Sequence, residues 1–123
     1  MLKVQNLTKI YEGGVLALDN VSFEVPQGQF LAVIGLSGSG KSTLLRCINR
    51  LVEPTSGKIL WDDLDITAAT EEELRLIRRR IGMVFQHFAL LPHLTVLENV
   101  AFPLFVQGIG RAEREKRAQE MID

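Results

Sequence analysis

Apolar and polar positions alternate from Leu2 to Leu7, which predicts a strand at a sheet edge, and Gly13-Gly14 predicts a turn after it. Alternation returns through Val15, Ala17, Val21, Phe23 and Val25, and Pro26-Gln27-Gly28 closes that second strand with turn chemistry. Phe30 to Ile34 (FLAVI) breaks the alternation with a continuous apolar run, the pattern of a strand covered on both faces in a parallel sheet. From Lys41 to Leu51 the residues Leu44, Leu45, Ile48 and Leu51 recur at helical spacing, and Glu53-Pro54-Thr55-Ser56-Gly57 stops the helix. Lys58 to Trp61 reads as a short strand with a turn at Asp62-Asp63. Thr70 ahead of Glu71, Glu72 and Glu73 predicts an N-cap, a capping box and an acidic first turn. Arg78-Arg79-Arg80 then falls at the end of that helix, where its dipole favours solvated cations. Ile81 to Phe85 is a second buried-strand candidate. Val96 to Val106 and the stretch from Arg111 onward read as helices, separated by Gly108 and Gly110, and Leu97, Val100, Ala101 and Leu104 give the first an apolar side.

Composition narrows the class. The 123 residues are 46% apolar and 24% charged, with 14 Lys and Arg against 15 Asp and Glu, a net charge of −1. That balance carries no basic footprint, so no nucleic-acid partner is expected. A single cysteine, Cys47, has no internal disulfide partner; it fits a reducing compartment and reads as a small core residue on a helix. The first residues lack the apolar run of a signal peptide, and no stretch reaches the roughly eighteen apolar residues of a membrane span.

The strongest chemistry lies at Gly35-Leu36-Ser37-Gly38-Ser39-Gly40-Lys41-Ser42, which satisfies G-x-x-x-x-G-K-[ST]. Glycines let successive N–H groups turn inward as an anion nest. Lys41 brings a point charge to the outer phosphates, and the Ser42 hydroxyl is a suitable hard ligand for Mg²⁺. The helix that opens at Lys41 aims its positive end at the same place. The expected cradle is therefore Ser37, Gly38, Ser39, Gly40, Lys41, Ser42 and Thr43, placed as the motif requires between an apolar run and a helix.

With these residues in hand, the whole chain, 1–123, resembles the N-terminal half of an ABC transporter ATP-binding subunit. The fold this implies is α/β: a P-loop NTPase with a RecA-like core and an N-terminal β-subdomain. Tyr11, in KIYEGG, matches the family's adenine-stacking aromatic, and Gln86, closing GMVFQ, matches its Q-loop glutamine, which approaches Mg²⁺ and the attacking water. The resemblance thus implies ATP and Mg²⁺ as cofactors, with Lys41 and Gln86 as catalytic residues and Ser42 and Gln86 at the metal. It implies a second ATP-binding subunit as a homodimer partner and transmembrane permease subunits reached through the segment Gln86–Val100. It places the parent protein at the cytoplasmic face of the inner membrane. LLRCINRLVEPTSGKIL and FALLPHLTVLENVAF look most like importers of glycine betaine and other quaternary amines. Subunits of phosphonate or polar amino acid importers are the alternative.

The family's later motifs do not occur: no LSGGQ-type signature, no Walker-B aspartate with its following glutamate, no switch histidine. The chain reads as truncated before these motifs, binding ATP without hydrolysing it. Two other classes compete, a small P-loop kinase or GTPase and a non-catalytic P-loop interaction module. The first would need an acceptor lid or an N-K-x-D motif, and neither is found. His87 and His93, six apart across Pro92, share no helical face and read as solvated or interface residues. Without a covering strand, FLAVI and GMVF would leave apolar faces open.

Overall fold

The structure is a computed structural model that describes residues 1–123. It divides into two units, Met1–Gly82 and Met83–Asp123. In the first unit, β1 (Leu2–Tyr11), β2 (Val15–Val25), β3 (Ser56–Trp61) and β4 (Leu64–Asp65) form one antiparallel sheet in the order β2-β1-β3-β4. Two helices belong to this unit, α1 (Lys41–Ile48) and α2 (Glu71–Arg78), with a single 3₁₀ turn at Ile66–Ala68. The core is the cluster Val4, Leu7, Leu18, Leu44, Cys47, Ile59, Ile66, Leu74 and Ile77.

Val4 and Leu7 are three apart, yet both are buried in one strand. Strict alternation would put them on opposite faces. The register slips between them: β1 passes from the pair Val4–Phe23 to Leu7–Val21, and Asn6 takes a positive φ of 50°. This bulge re-aims the second half of the strand toward the core. Asn6 Nδ2 holds the bulge by donating to Asn20 Oδ1 at 2.8 Å, and Gly57 lets β3 pass it. A Cβ on Gly57, at φ +99°, would stand 2.4 Å from Asn6 O.

The capping box before α2 forms as expected. Thr70 Oγ1 accepts from Glu73 N, and Glu73 Oε2 accepts from Thr70 N. The arginine run departs from its expectation at Arg78, while Arg79 and Arg80 are exposed as expected. Arg78 donates through Nε to Asn49 O at 3.0 Å and through a terminal nitrogen to Arg50 O at 2.8 Å, binding the carbonyls just past α1. Arg80 lies 4.6 Å over the Trp61 ring. Orphan carbonyls at a helix end need donors, and a planar guanidinium supplies two. Helix α1 also stops at Ile48, three residues short of the expected Leu51, because Arg50 turns left-handed at φ 54°.

Residues 30–34 and 81–85 form no strand. An apolar run encodes a preference for burial, but a strand exists only where another backbone pairs with it, and none of the four strands does. Phe30 and Ile34 are each 91% exposed in the first unit, and Val84 is 98% exposed in the second. Exposed apolar runs of this kind associate at roughly 25 cal/mol per Å² covered. The isolated chain is therefore expected to elute above its 13.8 kDa mass in light scattering coupled to gel filtration. Phe30→Lys with Val84→Lys should shift it toward the monomer.

The second unit is a helix pair, α3 (Val96–Val106) and α4 (Arg111–Ile122). Of the apolar side expected on α3, Ala101 is buried, Leu97 and Leu104 are half-buried, and Val100 is exposed. Thr95 and Glu98 make a second capping box, Glu98 N donating to Thr95 Oγ1 and Thr95 N to Glu98 Oε2. These bonds to Thr95 hold the Glu98 carboxyl below its ordinary pKa. A lowered carboxylate pKa contributes stability above the ordinary range, lost as pH falls through the lowered value. The protection factors of the Thr95 and Glu98 amides, with the intrinsic base-catalysed rate divided out, should accordingly fall on acidification through that value. In Thr95→Ala, which removes about 1 kcal/mol of capping, they should already be low at neutral pH.

Candidate functional site

The phosphate-loop motif opens α1 in the first unit. Its last glycine, Gly40, is the residue before the helix and has φ 95°, with no side-chain cap on the helix start. The amides of Lys41, Ser42 and Thr43 therefore head the helix with no carbonyl behind them. One amide of the loop turns back on itself, Ser39 N donating to Leu36 O at 3.1 Å. Two glycines are tightly placed, Gly40 against backbone that has to stay and Gly35 against a serine hydroxyl that can rotate away. A Cβ on Gly40 would meet Ala17 O of β2 at 2.4 Å, and one on Gly35 would meet Ser39 Oγ at 2.6 Å. The loop thus leans directly on the sheet backbone at one end and closes on itself at the other.

Lys41 spans the loop. Its Nζ donates to Gly35 O at 2.5 Å, Leu36 O at 2.6 Å and Ser39 Oγ at 3.1 Å. An ammonium has three protons, so two brace the start of the loop and the third meets a hydroxyl that can yield its place to an anion. The donor set (helix-start amides, one ammonium, and the hydroxyls of Ser37, Ser39, Ser42 and Thr43) fits a phosphate chain and offers oxygen to a hard cation. Mg-ATP is compatible with these residues on that count.

Tyr11 is brought to the same helix. Its hydroxyl lies 3.0 Å from Thr43 Oγ1, and Lys9 Nζ stands 5.1 Å from its ring centroid. Lys9 is itself anchored to Glu53 O at 2.7 Å. Cys47, buried in the core, has its thiol pKa raised by that burial, which suits packing and not reactivity.

Gln86 belongs to the second unit, where it is exposed in a bend. Sequence reasoning missed a residue there. Asn99, in α3, accepts from Leu91 N at 2.8 Å and donates through Nδ2 to Leu91 O, Leu94 O and Thr95 O at 3.1, 3.2 and 2.9 Å. It ties the segment after Gln86 to the helix. An asparagine inside an apolar helical run, four residues after an N-cap, was the available signal. The same unit holds a cleft of about 420 Å³ edged by His93, Glu98, Phe102, Arg111 and Arg114. His87 is exposed, and His93 lines that cleft.

Comparison with known proteins gives a consistent result. The family profile described as "ABC transporter" matches residues 18–123. The "Methionine import ATP-binding protein MetN" of Desulfitobacterium hafniense is 50% identical over 125 residues, covering 99% of this chain and 37% of that protein. Its namesakes from Geobacillus kaustophilus and Haemophilus influenzae are 48% and 47% identical over 126 residues. Among solved structures, a dimeric ATP-binding cassette in a post-hydrolysis state bound to ADP and Pi superposes with a TM-score of 0.88 at 43% identity, covering 98% of this chain and 55% of that one. A dimeric structure described as a bacterial ABC transporter cassette gives 0.87 at 44%. The chain spans 37% of the length of the first relatives it matches. The α/β cassette fold expected from the sequence is the fold of these neighbours, whereas the relatives are methionine importers and not the glycine betaine importers anticipated.

Proposed function

Because this chain belongs to the ABC transporter family, we propose that it supplies the ATP-holding part of an importer's ATP-binding subunit, and that the solute is methionine. The observation that carries the first half is the Gly35–Thr43 cradle, braced by Lys41 and seated on β2. The relatives' shared methionine-import function supports the second. In this reading Ser37–Thr43 hold the phosphates through backbone amides, Lys41 neutralises the outer phosphates, and Ser42 gives its hydroxyl to Mg²⁺. Bound Mg²⁺ supplies charge neutralisation on the phosphates. Tyr11 takes adenine on its ring, and Gln86 serves beside the metal. In the longer protein, ATP joins two such subunits, and permease subunits are met through residues 86–100. The dimeric state of the solved neighbours is in keeping with this. No helix is long and apolar enough to cross a membrane. In this reading the permease subunits hold the longer protein at the cytoplasmic face.

The 123-residue chain is expected to bind Mg-ATP without turning it over. General-base work needs a free carboxylate near the attacking water. The expected family positions are missing, and the Glu98 carboxylate is held by the Thr95 amide with its basicity lowered. Calorimetry with Mg-ATP and Mg-GTP, run beside a phosphate-release assay, tests both parts. Saturable ATP binding without release supports them; release above background that vanishes with Lys41→Met refutes the second. Uptake of labelled methionine and glycine betaine by cells carrying the intact importer tests the solute.

A further inference from the structure

We infer that Tyr11 has a second role at this site: its hydroxyl sets the direction of the Thr43 hydroxyl proton, so that the residue carrying the base also tightens the grip on phosphate. The inference rests on the proposed ATP-binding reading and concerns how its two ends are joined.

The two oxygens are 3.0 Å apart, and either atom has the valence to donate. A phenol is much the stronger acid of the two, so it is the better donor, and a threonine hydroxyl accepts while keeping its own proton to give away. Thr43 is the third residue of α1, and the residue four before it, Ser39, lies ahead of the helix, so the usual return of a threonine proton to a helical carbonyl one turn back is not offered here. A donor arriving from Tyr11 occupies a lone pair of Thr43 Oγ1 and leaves that proton for an anion at the helix start. Hydrogen bonds in series polarise one another, and a negative charge at the far end favours the order Tyr11 O–H, Thr43 O–H, phosphate oxygen.

The tyrosine is held for this from two sides. Its backbone is fixed at the end of β1, paired with Val15, and its carbonyl accepts from Gly14 N at 3.1 Å in the turn. Its ring is flanked by the Lys9 ammonium, whose own bond to Glu53 O keeps it in place. Tyr11 is thus a positioning residue for phosphate, acting through Thr43, in addition to any contact its ring makes with a base.

The test separates phosphate from base by using inorganic tripolyphosphate, which has no ring to stack. Calorimetry would compare Mg-tripolyphosphate with Mg-ATP for the unaltered chain, Tyr11→Phe, Tyr11→Leu, Thr43→Val, Thr43→Ser and the Tyr11→Phe/Thr43→Val pair. Tyr11→Phe keeps the ring, and is expected to weaken tripolyphosphate and ATP alike by about fivefold. Tyr11→Leu should weaken tripolyphosphate by the same factor and ATP by more. The double variant should be no weaker than Thr43→Val alone, since both remove one chain of bonds. Thr43→Ser should restore binding. Tripolyphosphate affinity unchanged in Tyr11→Phe, or additive losses in the double variant, would overturn the inference while leaving ATP binding intact. An unaltered chain that binds neither ligand would overturn the ATP-binding reading and this inference with it.

Discussion

Replacing Lys41 with methionine is expected to lower the affinity for Mg-ATP by roughly 100-fold or more. One charge-assisted hydrogen bond to phosphate is worth about 1.5–3 kcal/mol, and each 1.4 kcal/mol is about tenfold. Losing the local positive charge beside a multiply charged anion adds to that. A second effect accompanies it, because Lys41 also binds the carbonyls of Gly35 and Leu36, and those oxygens then lose their donor. Arginine should not rescue binding: a flat guanidinium cannot point three protons at three oxygens converging inside a small loop. Calorimetry gives the affinity, and thermal unfolding shows whether the loss is local. A Lys41→Met chain that kept ATP affinity within threefold would refute the cradle as the nucleotide site.

Gly40→Ala should disable the same loop from the other side, with the lysine intact. An L-residue in the left-handed region costs about 1–2 kcal/mol, and the added Cβ would stand 2.4 Å from the Ala17 carbonyl. Nothing flexible lies there to give way, since Ala17 O is backbone inside β2. Relieving the contact means shifting either the helix start or the strand. A destabilisation of about 3 kcal/mol is expected, lowering the melting temperature of a unit this size by roughly 12–24 °C. Gly38→Ala is the matched control. Gly38 has a similar φ of 81° but nothing within 4 Å of its absent Cβ, so the strain is present without the clash. A larger melting shift for Gly38→Ala than for Gly40→Ala would contradict the seating of the loop on β2.

Much of this was legible in the residues. The loop motif names its own geometry, because glycine and lysine at those offsets have few other uses, and the structure puts the lysine across the loop. The Thr70 capping box was readable because both halves lie within four residues. The Thr95–Glu98 box carries the same T-x-x-E signal. What the sequence could not show depends on partners distant along the chain. FLAVI states a wish to be buried, but pairing depends on another backbone, and in residues 1–123 none takes that role. Arg78 looked like a solvated charge because its own helix gives it no partner; its partners are carbonyls 28 and 29 residues earlier. The slip at Asn6 was equally invisible, since Asn20, which holds it, and Gly57, which makes room for it, lie on neighbouring strands. The substrate lay beyond physical reading altogether. The passages that suggested quaternary amines hold the helix after the phosphate loop and the segment after Gln86, and nothing in the chemistry of their residues reads a transported solute.

The contact between Arg80 and Trp61 gives the molecule a built-in optical asymmetry. Trp61 is the chain's one tryptophan and Tyr11 its one tyrosine, and both lie in the first unit. The second unit, with only phenylalanine, is dark to excitation at tryptophan wavelengths. A guanidinium 4.6 Å over the indole is a local perturbation of its emission, released when α2 leaves β3. Fluorescence therefore follows the sheet unit alone, while far-ultraviolet circular dichroism also sees the helix pair. Two melting curves from one cuvette would show directly whether the two halves of this chain come apart together or one at a time.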